Sequence, residues 1–198
     1  MRFLENIEKN KLSDRIAAEG AVVIHRALAR HTVEMLLAEA LNLEWRKAVE
    51  FVSASKVEQD YWVAGTLATE SSFRLLAAET ANWINGWGAA DFGGATLRFN
   101  EMRVQRYEAN SFGITPHRDG LWCKMVIGLF ILEDGGRFGL CDDRTEAKEP
   151  INARALQMSA GDLVLMRAPG FRGENTQPMH FVDNVRTRRI TYGLRYVP

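Results

Sequence analysis

The feature that most limits how this chain can fold is a change of texture after Gly93-Gly94. From there to the C-terminus, runs of strand length alternate with short turn signals. Thr96 to Tyr107, Met125 to Leu132, Phe138 to Cys141, Leu163 to Arg167 and Arg189 to Val197 are rich in β-branched, aromatic and alternating apolar residues. Asp134-Gly135-Gly136, Ala160-Gly161-Asp162 and Ala168-Pro169-Gly170 separate several of them. Short strands of this kind bury their apolar faces only by packing sheet on sheet. So many of them in about a hundred residues predict an antiparallel sandwich or barrel.

The front of the chain reads differently. Leu12 to Ala18 has helical character that Gly20 stops, and Ala21 to Leu28 is β-branched like a strand. Thr32 to Leu43 places Val33, Leu36, Leu37, Ala40 and Leu41 on one helical stripe. Ser71 to Trp87 repeats the pattern through Phe73, Leu76, Ala77, Trp83 and Ile84, with Ser71 or Ser72 as its cap. The expected organisation is one domain over 1–198, mainly β with flanking helices. A helical front (1–93) would pack on one outer face of a strand-rich core (94–198).

Composition excludes several function classes. At 198 residues the chain can bury one sizeable core, and Met125 to Leu132, its longest interior apolar stretch, suits a buried strand and not a membrane span. Met1-Arg2-Phe3-Leu4 soon meets Glu5, Glu8, Lys9 and Lys11, which is no signal-peptide pattern. The two cysteines, Cys123 and Cys141, form neither a disulfide framework nor a zinc ribbon, so a cytoplasmic location is expected. Lys and Arg balance Asp and Glu to a formal net charge of zero. That balance opposes bulk nucleic-acid affinity and favours a small-molecule substrate. No G-x-S-x-G, H-E-x-x-H or Walker-type motif is present.

The residues suited to chemistry lie in the back half. His117-Arg118-Asp119 is an H-x-D triplet, and in extended backbone residues two apart share a face. His117 and Asp119 can then aim at one ion, with His180 returning from a later strand. Two imidazoles and one carboxylate occupy one face of an octahedron and leave the other positions open, the arrangement of non-haem Fe(II) oxygenases. The plainer alternative is a loop His and Asp that bond backbone, with His180 a satisfied core or surface histidine. Of the remaining histidines, His25 reads as a surface strand residue and His31 as a helix start.

A second feature follows His180. On a strand, Arg189, Thr191, Gly193 and Arg195 share one face, while Ile190, Tyr192, Leu194 and Tyr196 share the other. If the first face is inward, its guanidinium groups need a buried anion, and a carboxylate matches the planar fork of arginine. If it is outward, water suffices; the alternation by itself leaves both open. Arg186 and Arg188 read as solvated or carboxylate-paired.

Together these pieces resemble the 2-oxoglutarate/Fe(II)-dependent dioxygenase superfamily, whose motif is H-x-D, a distal His, then Arg followed two residues later by Ser or Thr. The matching residues are His117-Arg118-Asp119, His180 and Arg189-Ile190-Thr191, in that order. Gln105-Arg106-Tyr107 before the triplet and Ala160-Gly161-Asp162-Leu163-Val164-Leu165 before the distal His also fit. The resemblance covers Leu97 to Val197. It implies a double-stranded β-helix (jelly-roll) core, with Fe(II), 2-oxoglutarate and O2 as cofactor and co-substrates. His117, Asp119 and His180 would be the metal ligands and catalytic centre. Arg189 would pair with the distal carboxylate of 2-oxoglutarate, helped by Thr191, with Tyr107 and Gln105 beside it.

An AlkB-like branch of that superfamily ends in R-x-N-x-T-x-R, with two arginines spaced as Arg189 and Arg195 are; Thr191 stands where that pattern has Asn. Arg195 is therefore expected to join the co-substrate residues. The carboxylate at Asp119 implies hydroxylation or a related oxidation, with release of succinate and CO2, over halogenation. Trp122 (or else core packing), Arg103 and Arg172 are the residues expected to meet substrate. Asp60-Tyr61-Trp62 could form a lid, although packing is the expected role, and the charged loop Asp142 to Pro150 reads as solvated. The competing functions are an AlkB-like demethylase or hydroxylase of nucleic acid or protein, and a metal-binding jelly roll without catalysis.

Overall fold

The computed structural model describes residues 9–198 apart from 53, 55 and 88. The reading of the first residues as no secretion signal lies mostly outside the described residues. Three helices form where the apolar stripes are. Helix α1 (Lys9–Glu19) buries Leu12 and Ile16 and ends at Gly20, whose φ of 79° lets its N–H return to the Ile16 carbonyl at 3.0 Å. Helix α2 (Arg30–Ala40) buries Val33, Leu36 and Ala40. Helix α3 (Ser72–Asn85) buries Phe73, Leu76, Ala77, Thr80, Ala81 and Ile84. Its cap is Ser71, whose hydroxyl accepts from the Phe73 N–H at 3.2 Å. No helix among the described residues is long and apolar enough to cross a membrane.

The strands, in chain order, are β1 (Ala21–Ile24), β2 (Arg46–Lys47), β3 (Phe51–Val52), β4 (Val57–Glu58), β5 (Trp62–Ala64), β6 (Glu101–Tyr107), β7 (Ile114–His117), β8 (Lys124–Asp134), β9 (Arg137–Cys141), β10 (Asp143–Arg144), β11 (Pro150–Ile151), β12 (Arg154–Ala155), β13 (Leu163–Arg167), β14 (Met179–Asp183) and β15 (Arg189–Tyr196). The major sheet runs β1-β13-β8-β15-β6-β5-β2 and the minor sheet β12-β9-β14-β7. Two hairpins, β3-β4 and β10-β11, stand apart from both sheets. The ladders are antiparallel, as the short turns require.

The core has two layers because the major sheet is covered on both faces. On β8, Val126, Phe130 and Leu132 join the helices, packed with Leu36, Phe73 and Ile84. The alternate residues Ile127, Leu129 and Ile131 face the minor sheet, against Phe138, Leu140 and Val182. A strand buried on both faces has no polar alternation to keep, which is why Met125 to Leu132 is continuously apolar. The expected mainly β fold with a layer of helices on one face is the one observed, and the architecture is a double-stranded β-helix.

Three details depart from the sequence expectation. The front is more than a helical layer, since β1, β2 and β5 all extend the major sheet. Strand β1 pairs along Leu163 to Met166 and covers an edge whose backbone groups would otherwise lie open. The strand expected from Thr96 starts only at Glu101, because Leu97 is held by both its N–H and its C=O on the Asn85 side-chain amide, at 2.8 and 3.0 Å. Strands β7 and β14 were expected only through the extended backbone around His117 and the strand return of His180, because each is too short to show a periodic pattern of its own. Their approach depends on Gly113, with φ 91°, where a Cβ would fall 1.9 Å from the Val182 carbonyl oxygen.

Candidate active site

The inner face of the major sheet builds the site. Strand β15 pairs with β6 in the register Arg189 to Tyr107, Thr191 to Gln105, Gly193 to Arg103 and Arg195 to Glu101. The other face of β15, with Ile190, Tyr192 and Leu194, packs under the helices. That leaves Arg189, Thr191, Gly193 and Arg195 facing a cavity between the sheets, lined also by Gln105, Tyr107, His117, Phe138 and His180. The polar face of β15 is therefore inward.

Arg189 is 0% exposed. Its Nη1 donates to the Gly136 carbonyl at 3.2 Å, while Nε and Nη2 are buried with no partner. Burial lowers its pKa to about 10, which still leaves it charged at neutral pH. A buried cation with two free donors is costly unless an anion completes it. Thr191 and Tyr107, both buried, stand beside it. Burial pushes the Tyr107 hydroxyl above its ordinary range and keeps it a neutral phenol.

Strands β7 and β14 bring the two histidines together. His117 is paired opposite His180, with ring centroids 4.3 Å apart. His117 Nδ1 faces the Thr115 carbonyl at 2.9 Å and must donate to it, which leaves the Nε2 lone pair free. Burial, reinforced by His180, lowers the His117 pKa to about 3. Burial also lowers that of His180, so both imidazoles are neutral, as a metal ligand must be.

Asp119 lies two residues beyond the end of β7. Its Oδ1 accepts from both Nε and Nη2 of Arg195, each at 2.8 Å. Its buried Oδ2 has no hydrogen-bond partner and lies 3.6 Å from His180 Nε2. Burial alone would raise its pKa, but Arg195, His180 and His117 together hold it well below the usual carboxylate range. Among the described residues no three His, Cys, Asp or Glu side chains already stand in finished ligand geometry. The donor set nevertheless fits a divalent transition metal: two neutral imidazoles and an ionised carboxylate with one oxygen to spare.

A second cavity adjoins the first and shares Gln105, Ile114, His117 and Arg195 with it. This outer space is lined by Val52, Val57, Gln59, Tyr61, Glu101, Arg103, Asp119 and Trp122. Trp122 is 63% exposed, and its ring crosses Gly120 so closely that a Cβ there would lie 2.3 Å from it. It is thus a wall of the mouth and not core. Arg103 also lines the mouth, paired to Glu101 at 2.7 Å. Tyr61 packs on Tyr107, with centroids 5.1 Å apart, and reaches the mouth as well, so the expected packing role is half of its place.

One expected placement needs correction. Arg172 lines neither cavity; it pairs with Asp91 at 2.6 Å and Asp14 at 2.8 Å, where two carboxylates from the helical side satisfy it. Arg195 reaches both cavities; its Nε and Nη2 pair with Asp119, and its Nη1 is buried without a partner. Three residues escaped the sequence reading. Glu101 could have been found, as it continues the alternation of Arg103, Gln105 and Tyr107. Gln59 and Gln177 could not, since neither has a periodic signal. Of the histidines away from the site, His31 opens α2 as expected, while His25 is exposed as expected but lies in the turn after β1, not on a strand, and faces Asp162 at 2.9 Å. Arg188 is held bidentately by Glu133.

No protein-family model matches the chain, and no curated protein matches it. Solved structures do. A Trichoplax adhaerens prolyl hydroxylase, in complex with a hypoxia inducible factor oxygen degradation domain peptide fragment, is 16% identical with a TM-score of 0.69, over 96% of this chain and 88% of that one. A 2OG-Fe(II) oxygenase family oxidoreductase from Burkholderia pseudomallei is 15% identical with a TM-score of 0.68, over 98% and 92%. The non-heme alpha ketoglutarate dependent epimerase SnoN from nogalamycin biosynthesis is 18% identical with a TM-score of 0.67, over 96% and 82%. At these identities the likeness is one of fold, and over nearly its whole length this chain has the fold of 2OG-Fe(II) oxygenases.

Proposed function

We propose that the protein is a 2-oxoglutarate- and Fe(II)-dependent dioxygenase that oxidises a small molecule. The observation that carries this reading is Arg189, wholly buried, charged and lacking an anion, in the same cavity as His117 and His180. His117, Asp119 and His180 would hold the metal, with Asp119 offering Oδ2. Arg189 would take the distal carboxylate of 2-oxoglutarate, with Thr191, Tyr107 and Gln105 around it. Iron and 2-oxoglutarate, when bound, supply the activation of dioxygen and the oxidation of substrate, with succinate and CO2 as by-products.

The chain's own residues do the rest. Arg195 keeps Asp119 ionised and aims one oxygen at the metal side. Thr115 fixes the His117 tautomer. Phe138, Met166 and Ile127 exclude water from the inner cavity. The outer cavity would take substrate, with Trp122 as an apolar shelf and the Arg103–Glu101 pair as the polar edge. An Arg189 turned to solvent would have supported a jelly roll without catalysis; its full burial supports the oxygenase reading instead. A formal net charge of zero favours a small molecule over nucleic acid.

The test is an anaerobic titration of the protein with Fe(II) and 2-oxoglutarate, followed by the weak visible charge-transfer band of the chelate. Wild type develops the band, and Asp119→Ala and Arg189→Ala weaken or lose it. A wild-type protein that develops no band ends the proposal.

A further inference from the structure

Sheet pairing fixes two of the three proposed metal ligands but not the third. His117 and His180 sit opposite each other in the β7-β14 ladder. Asp119 lies past the end of β7, in backbone with no strand pairing. Something else must hold its main chain, or the carboxylate would swing with the loop.

That hold is Gln177. Its side-chain Nε2 donates to the Asp119 carbonyl at 2.8 Å. The orientation of the amide is unambiguous in chemical terms, because only the NH2 end can face a carbonyl. The tie is returned by Arg118, whose Nε donates to the Gln177 carbonyl at 3.3 Å. Two bonds running in opposite senses thus bind the H-x-D triplet to the segment that enters β14 and carries His180. Gln177 is only 9% exposed, and its Oε1 is buried with no partner. A side chain that accepts an unsatisfied oxygen in order to place one donor is committed to that donor's bond.

We infer that Gln177 is a positioning residue for the metal centre. It holds the backbone of Asp119 while Arg195 holds Oδ1, so the residue is held at main chain and side chain and presents Oδ2 alone. The inference rests on the proposed metal site. It adds a ligand-orienting residue from a part of the chain outside the motif. Removing such outer partners of a metal ligand typically weakens metal binding by about 10- to 100-fold.

The test is metal binding by the whole chain, with no turnover involved. Wild type and variants are titrated with Mn(II), followed by EPR, and with Co(II), followed by visible absorption, and the melting of the metal-free proteins is recorded alongside. Gln177→Met keeps the length and loses the donor. It is expected to bind Mn(II) about 10- to 100-fold more weakly, with altered Co(II) bands and a metal-free melting temperature close to wild type. Gln177→Lys restores a donor and is expected to recover most of the affinity. Equal Mn(II) affinity and an unchanged Co(II) spectrum in Gln177→Met overturn the inference. If Gln177→Met does not fold, Gln177→Lys decides: near-wild-type binding supports the role, and loss of binding in a folded protein overturns it. A wild-type chain that takes up neither ion sinks the metal reading itself, an outcome separate from any effect of Gln177.

Discussion

At the scale of single residues, the balance of cost and use is sharpest at Arg189. The fold spends burial on a guanidinium that it satisfies through one nitrogen only. Arg189→Met should therefore divide function from stability. Affinity for 2-oxoglutarate should fall roughly a hundredfold, for the loss of about 3 kcal/mol of charge-assisted hydrogen bonding. Unfolding should be unchanged or made harder by about 1 kcal/mol, since an unpaired buried charge is removed. Calorimetric titration and chemical denaturation of the same samples check both, and undiminished co-substrate affinity would count against the role assigned to Arg189. Asp119 carries the complementary prediction. Asp119→Gly leaves Arg195 a buried cation without its carboxylate, beside the proposed metal site. Formate or chloride should settle there and restore Co(II) binding by about tenfold or more over chloride-free buffer. No response to either anion would show that Arg195 relaxes away once its partner is gone.

At the scale of elements, β15 does two jobs through its two faces. Its inward residues line the cavity, and its outward residues anchor the helices. The second job centres on Tyr192, which is 0% exposed, donates its hydroxyl to the Phe73 carbonyl at 2.7 Å and meets the Phe73 ring edge-on at 4.8 Å. This bond ties the first turn of α3 to the strand that carries Arg189 and Arg195. Tyr192→Phe should cost about 1 kcal/mol of stability, the net worth of one buried neutral hydrogen bond. Co-substrate affinity should be retained, because the ring still fills its place. Denaturant unfolding with an unchanged midpoint would mean that α3 is held by packing alone. The hairpin β3-β4 is fastened in a comparable way, with Arg144 Nη1 donating to the Pro116 carbonyl at 2.8 Å and to the Lys56 carbonyl at 3.3 Å. The charged loop of 142–150, expected to be merely solvated, thus braces one rim of the mouth beside His117.

At the scale of the whole molecule, the proposed metal ligands come from β7, the loop beyond it and β14, so metal binding should stabilise the folded chain as a unit. At a free Mn(II) concentration of about 100 times Kd, linkage adds about 2.7 kcal/mol. For a chain of this size that should raise the melting temperature by about 5–10 °C, reversed by EDTA and absent in His117→Ala. A melting curve indifferent to Mn(II) in wild type would contradict a site formed by the folded state.

The same scale shows which information was local. The helical stripes of α2 and α3, the doubly buried run of β8 and the two-faced alternation of β15 are periodicities, and a periodicity states which side of an element is apolar without knowing what covers it. The triplet 117–119, His180, Arg189 and Thr191 were readable for the same reason, as residue types at spacings a strand can align. What packs against a face is decided elsewhere in the chain. Whether the Arg189 face pointed inward depended on the helices taking Ile190, Tyr192 and Leu194. Arg172 left the site because Asp14 and Asp91 reach it from distant segments. Gln177 entered it because its one useful bond is to a backbone carbonyl 58 positions away. The chain by itself determined a mainly β fold with a layer of helices, a candidate set of metal ligands and a strand with arginines along one face. Only the tertiary structure decided that Arg189 is enclosed, that Asp119 is held at main chain and side chain and which side chains form the mouth, because those depend on partners remote in sequence that no local pattern encodes.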